Sequence, residues 1–216
     1  MKKSGLDCNQ SILCDLLFNI GAIKFGSFRL KLHDKHPEAP ESPIYCDLRV
    51  VQRFPEVSAK AVAVYLRLLV DLKFDLLAGI PIAATPFTAS IRDKLNIGMV
   101  TPRMEAKTHG TGAKIDGLLD DDKGKTVVLI DDLVTKADSK IEAAEIIREC
   151  GLIVNDVVVL IDRNQGGKEQ LAQAGLTLHS ALGLDKMLLY YLETDQIDED
   201  TYQDTVYQLH LLSQYK

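Results

Sequence analysis

Asp131 and Asp132 stand side by side directly after the apolar run VVLI, and TKADS (135–139) follows two residues later. In a parallel α/β sheet, ligands collect beyond the carboxyl ends of the strands. An apolar run that breaks into two acids reads as such an end. Two adjacent carboxylates repel one another unless something offsets them. A ribose diol meets that need, because each hydroxyl can donate to a carboxylate, and Mg²⁺ bridging nearby oxygens would act in the same sense. Backbone N–H groups at a helix start gather anions, so residues 135–139 suit a 5′-phosphate. The same residues also read without a ligand, since Ser139 and Glu142 have the S-x-x-E spacing of a capping box.

A second group of candidates is basic. Arg103, Lys107 and His109 fall within Thr101–Leu118, TPRMEAKTHGTGAKIDGL, a polar segment with three glycines in a chain of net charge −6. A loop that long inside a compact domain is usually functional or disordered. Its cations and glycines suit a flap that closes over an anionic ligand; the alternative is a solvated excursion.

These residues need elements to hold them. Apolar spacing predicts a helix over 10–20, ended by Gly21, and short strands over 25–31 and 43–51, with a proline-rich loop over 33–42 between them. A long amphipathic helix is expected over 56–73. Apolar runs then alternate with helical segments: strand 74–80 and helix 84–95, strand 125–130 and helix 139–150, strand 153–161 and helix 167–174, then strand 176–182. Continuous apolar strands separated by helices imply an α/β fold with a mostly parallel central sheet flanked by helices. Helices over 184–193 and 198–213 close the sequence.

The 216 residues are 46% hydrophobic and 26% charged, with basic residues scattered, which argues against a nucleic-acid or anionic-membrane surface. Cys8, Cys14, Cys46 and Cys150 form no CxxC pair or zinc-type spacing, and read as reduced, mostly buried thiols. There is no signal-type apolar core, and no apolar stretch approaches the roughly 20 residues of a membrane span. A cytoplasmic protein is expected.

The acid-pair segment resembles the phosphoribosyl-pyrophosphate signature of type I phosphoribosyltransferases. IKFGSFRLK (23–31), SPIYCDLR (42–49), FDLLAGIPIAATP (74–86), PRMEAKTHGTG (102–112) and LIDRNQGGKEQL (160–171) resemble the orotate phosphoribosyltransferase branch, particularly the kind joined to a decarboxylase in UMP synthases. The resemblance implies a type I phosphoribosyltransferase fold with a small N-terminal hood of helix and short strands. It implies a single domain over 1–216, with about 1–55 as the hood, about 56–190 as the α/β core and about 190–216 as a C-terminal helical segment. The implied activity is Mg²⁺-dependent transfer of phosphoribosyl from phosphoribosyl pyrophosphate to orotate, giving orotidine 5′-monophosphate and pyrophosphate in UMP biosynthesis.

By the same resemblance, Lys31, Tyr45, Cys46, Thr135 and Arg163 would hold orotate, Arg163 offering a planar fork to its carboxylate. Arg103, Lys107, His109, Asp131, Asp132 and Thr135, Lys136, Ala137, Asp138 and Ser139 would hold phosphoribosyl pyrophosphate, with Lys107, His109 and the two acids catalytic. Gly79–Thr85 would touch pyrophosphate through its backbone. Mg²⁺ would be held mainly by the pyrophosphate, with no direct protein ligand, Asp131 or Asp132 reaching it at most through water. A homodimer with shared active sites is implied. The length leaves no room for a fused decarboxylase, so an orotidine monophosphate decarboxylase partner would be a separate chain.

The chain departs from that pattern in four places. Met104 replaces a second basic residue, Ile82 replaces an aromatic, and HDKHPEAPE lengthens the loop after Lys31. In the phosphate loop Ala137 replaces a glycine, and Asp138 brings a carboxylate toward a dianion. A like-charge pair at ~4 Å and an effective dielectric of ~20 costs about 4 kcal/mol before screening, unless Lys136 offsets it or Asp138 turns outward as a helix cap. An active enzyme and a catalytically weakened relative that binds a nucleotide or a partner are therefore both open.

Overall fold

The apolar runs singled out in the sequence become strands buried on both faces. In the computed structural model, which describes residues 3–104 and 114–215, six strands order as β5-β4-β3-β6-β7-β8. They are β3 (Leu76–Gly79), β4 (Gly98–Pro102), β5 (Ile115–Asp116), β6 (Thr126–Val134), β7 (Ile153–Asp162) and β8 (Thr177–Gly183). The β3–β4, β3–β6 and β6–β7 pairs are parallel, while β4–β5 is antiparallel. Two compact units emerge, one of residues 58–181 and one of residues 1–57 with 182–216.

In the first of these units, alternate residues of each strand feed one core. Val127 and Leu129 of β6 and Val157 and Val159 of β7 pack with Ala143, Ala144 and Ile147 of helix α4 (Asp138–Glu149) and Leu171 of α5 (Gly167–Gln173). The intervening positions Val128, Ile130, Val158 and Leu160 are also fully buried, as the two-residue period of a strand requires when both faces are covered. Tyr65 of α2 (Pro55–Leu69) and Phe87 of α3 (Thr85–Leu95) lie 5.7 Å apart between ring centres.

Strand order reverses between β3 and β6. The chain runs outward from β3 through α3 to β4 and β5, then returns to β6 on the other side of β3. Such a switch point opens a crevice at the carboxyl ends of the two strands. The Gly79–Thr85 connection leaves the sheet there, while β6, expected to end at Ile130, carries the acid pair past the end of β3 and stays in register with β7 to Val134. The segment read as a loop over 101–118 has strands at both ends: Thr101 pairs with Asp116 and Pro102 with Ile115.

The other unit holds α1 (Cys8–Asn19), the antiparallel pair β1 (Ile23–Phe28) and β2 (Ser42–Cys46), α6 (Leu184–Glu193) and α7 (Glu199–Leu212). Asp7 caps α1 in a box with Gln10, and Gly21 follows the helix at φ 68°, the left-handed turn that favours glycine. Tyr190 and Gln196 both donate to Asp15, at 3.0 and 2.6 Å, and Tyr191 donates to the Cys14 carbonyl. β2 stops at Cys46, earlier than its alternation suggested. Leu48–Arg53 is a 3₁₀ helix, which buries Leu48 and Val51 at its three-residue repeat. Lys31–Asp34 is likewise 3₁₀: β1 stops at Phe28, short of the strand end expected at Lys31, and the turn runs into the segment read as loop.

Candidate functional site

At the end of β6 the acid pair is built from three elements. Asp131 is 5% exposed, and its Oδ2 lies 2.5 Å from the Nζ of Lys140 on α4. Its Oδ1 accepts the Asp132 N–H at 2.9 Å, and its backbone carbonyl accepts the Tyr65 hydroxyl at 2.7 Å. The expected repulsion between the acids is thus offset only in part from within the protein. Asp132 is half-buried, and its Oδ1 accepts the Leu133 N–H at 2.7 Å. Burial, followed by the neighbouring Asp131 charge, raises its carboxyl from the ordinary 3.8 to about 7. The Tyr65 phenol is pushed well above 10, first by burial and then by the two carboxylates, so it remains a neutral donor.

Neither Lys140 nor Tyr65 was among the sequence candidates. Lys140 had a legible signal, because it shares the buried stripe of α4 with Ala143, Ala144 and Ile147. A lysine at a core-facing helix position needs a buried anion.

Thr135 to Ser139 connect β6 to α4. Ala137 is the N-cap residue, with φ −99° and no side-chain cap, and Asp138 is already helical. Ser139 therefore lies inside the helix, and the Ser139–Glu142 capping box does not form. Asp138 turns outward and is exposed, but not as the cap. The alanine that stands in the glycine position has a negative φ, which any residue adopts.

The loop is locked against the DRNQGG turn. Gln170 Oε1 accepts the Ala137 N–H at 2.8 Å, and the Arg163 N–H donates to the Val134 carbonyl at 2.9 Å. A Cβ on Gly167 would come within 2.5 Å of Val134 and 3.0 Å of the Thr135 carbonyl, so only glycine lets the turn approach this closely. One on Gly166 would lie 3.7 Å from the Lys136 Nζ, so that lysine faces this turn. Arg163 is 5% exposed. Asp131, Asp132, 135–139 and Arg163 thus lie on neighbouring pieces of chain, at the end of β6, the connection into α4 and the turn after β7.

Gly79 has a second reason to be glycine: a Cβ there would fall 2.5 Å from the Thr88 hydroxyl of α3. Ile82, where an aromatic was expected, is 83% exposed. Arg103 ion-pairs with Asp116 on β5, and its N–H donates to the Lys114 carbonyl at 2.9 Å. Lys107 and His109 lie outside the described residues. In the other unit, Lys31 is exposed, Cys46 is buried, and Tyr45 accepts from Arg49 at 2.9 Å. Among the described residues no group of three or more His, Cys, Asp or Glu could hold a metal ion, and no helix is long and apolar enough to cross a membrane.

The phosphoribosyl transferase domain family matches residues 52–178. The chain is 34% identical to an orotate phosphoribosyltransferase of Caenorhabditis elegans over 85% of its own length and 78% of that protein's. The structure of Leishmania donovani UMP synthase matches it with a TM-score of 0.82 at 34% identity, covering 93% of this chain and 42% of that one. That of orotate phosphoribosyltransferase from Aeropyrum pernix matches with a TM-score of 0.72 at 27% identity, covering 85% and 98%. With the acid pair, the locked loop and the DRNQGG turn in these positions, the chain belongs to the orotate phosphoribosyltransferase family.

Proposed function

We propose that the protein transfers phosphoribosyl from phosphoribosyl pyrophosphate to orotate, yielding orotidine 5′-monophosphate and pyrophosphate for UMP synthesis. The observation that carries this reading is the acid pair at the switch point, followed by a loop into α4 that is clamped to the Arg163 turn. The arrangement offers a carboxylate for ribose hydroxyls, backbone donors for a 5′-phosphate, and a buried guanidinium on the adjacent turn.

The reaction asks for little covalent help. The C1–O bond to pyrophosphate breaks, the ribose gains oxocarbenium character, and N1 of orotate attacks C1. The protein's tasks are to hold the ribose, spread the departing negative charge and exclude water. Asp132 orients the ribose, Arg103 faces the pyrophosphate once it leaves Asp116, and Lys107 and His109 cover it.

The donors present fit a Mg²⁺ delivered by the pyrophosphate rather than one held by the chain, since both Asp131 oxygens are engaged within the protein. When bound, the ion would neutralise charge on the leaving group. The reading includes a cytoplasmic homodimer with shared sites, and a decarboxylase acting on the product.

The weakened-relative reading has specific support of its own: Arg103 is held by Asp116, and the Ala137 N–H is taken by Gln170. Orotate consumption with phosphoribosyl pyrophosphate and Mg²⁺ separates the two. Turnover in the unmodified protein, nearly abolished by Lys107→Ala, is the expected result. No orotate loss, with no calorimetric binding of phosphoribosyl pyrophosphate, would overturn the proposal.

A further inference from the structure

We propose that the two carboxylates divide their work: Lys140 holds Asp131 inside the protein as a fixed support, and Asp132 alone offers an oxygen to the ribose hydroxyls. The inference rests on the phosphoribosyl reading above and specifies how that site takes its ligand.

Each acceptor of Asp131 already has a protein donor. Lys140 takes Oδ2 at 2.5 Å, the Asp132 N–H takes Oδ1 at 2.9 Å, and the Tyr65 hydroxyl takes the carbonyl at 2.7 Å. The Lys140 and Asp131 side chains are each only 7% exposed. A ribose hydroxyl reaching Asp131 would compete with a buried ammonium, whose charge-assisted bond is about twice as strong as a neutral one. Asp132 differs: its Oδ1 accepts the Leu133 N–H, its carboxyl shares a hydrogen bond with Asp131 when protonated, and among the described residues no ammonium or guanidinium forms an ion pair with it as Lys140 does with Asp131. It is also the less buried of the two.

Lys140 is therefore a positioning residue. The groups facing Asp132 are Asp131 from its own strand, Lys140 from α4 and the Tyr65 phenol from α2. Asp131 opposes ionisation of Asp132 and Lys140 favours it. The lysine thus helps Asp132 to carry its charge while keeping Asp131 from the ligand.

The test combines carboxyl ¹³C NMR of aspartate-labelled protein with calorimetry of orotidine 5′-monophosphate, using inorganic pyrophosphate as a probe without a diol. In the unmodified protein, one aspartate is expected to titrate near neutrality. Asp132→Asn should remove that titration and weaken nucleotide binding by about a hundredfold, leaving pyrophosphate binding intact. Lys140→Met should move the titration upward, and Lys140→Arg should restore it. Where Lys140→Met fails to fold, Asp131→Asn with Lys140→Met removes both buried charges, and its nucleotide affinity should fall less than about tenfold. A folded double variant that binds as poorly as Asp132→Asn would overturn the division, as would a titration that survives Asp132→Asn. If the unmodified protein binds no nucleotide, the phosphoribosyl reading fails, while the NMR titrations still decide which carboxylate is held.

Discussion

At the end of β6 a carboxylate is buried and met from below by a lysine. A few residues later, Asp138 stands exposed at the start of α4, and the Ala137 N–H is covered by the amide oxygen of Gln170. These neighbouring pieces of one candidate site solve their electrostatics differently. A buried charge must keep its partner, because removing one member of a buried pair leaves an uncompensated ion. A backbone donor whose acceptor is a neutral side-chain amide can exchange it for an anion at a cost of about 1 kcal/mol, even where, as at Ala137, the residue itself is buried. The acid pair is thus fixed, whereas at the loop it is the Ala137 donor that is exchangeable, although the Arg163 turn holds the chain beside it.

The largest effect should come from breaking the fixed region. Lys140→Met leaves Asp131 ionised and unpaired, and chemical denaturation should show a loss of roughly 3–5 kcal/mol. Adding Asp131→Asn should recover most of it. Equal instability of the single and double variants would mean that Lys140 contributes packing rather than charge.

A smaller effect should follow from pH. The folded chain holds the Asp132 proton up to about pH 7, whereas the unfolded chain releases it near 3.8. Between those values the folded state binds more protons, so stability falls as pH rises through the window. At roughly 1.4 kcal/mol per unit, the fall amounts to a few kcal/mol at most. Asp132→Asn should flatten the dependence and stabilise the protein above pH 7. A stability profile between pH 4 and 7 that is identical with and without the carboxylate would remove the argument for its burial cost.

Both regions were partly legible in the sequence, for different reasons. Apolar runs wrote out β3, β6 and β7, because burial on both faces leaves a continuous pattern, but the break at Asp131–Asp132 put the end of β6 four residues early, since the ladder with β7 continues to Val134. The function of Lys140 was readable in principle from its three- and four-residue spacing with Ala143, Ala144 and Ile147. Counted only as a scattered cation, it was missed. Tyr65 left no local trace, since it meets a backbone carbonyl 66 residues away. The failed Ser139–Glu142 box shows the same limit from the other side. Spacing predicts a cap from local partners, but Gln170, 33 residues on, supplies the acceptor at Ala137. The basic segment was read as one loop because Arg103, Met104 and Lys114 are polar or flexible residues beside strands too short to show alternation. Its stem is nonetheless a ladder, fastened by Arg103 to Asp116.

The exchangeable region gives the smallest and most discriminating effect. Gln170→Ala should cost about 1 kcal/mol, the net value of one hydrogen bond, and should raise affinity for orotidine 5′-monophosphate, because the Ala137 N–H then awaits the phosphate without a competitor. Ala137→Gly is the companion. Its φ of −99° gives glycine no conformational advantage, so the substitution should cost about 0.4–1 kcal/mol through the freer unfolded chain and leave affinity where it was. If Ala137→Gly instead tightened binding while Gln170→Ala weakened it, the loop would need left-handed freedom to take the phosphate. Gln170 would then be a brace that shapes the cradle rather than a plug that fills it. Affinity rising in Gln170→Ala alone would establish the loop as exchangeable and set it apart from the clamped acids that precede it.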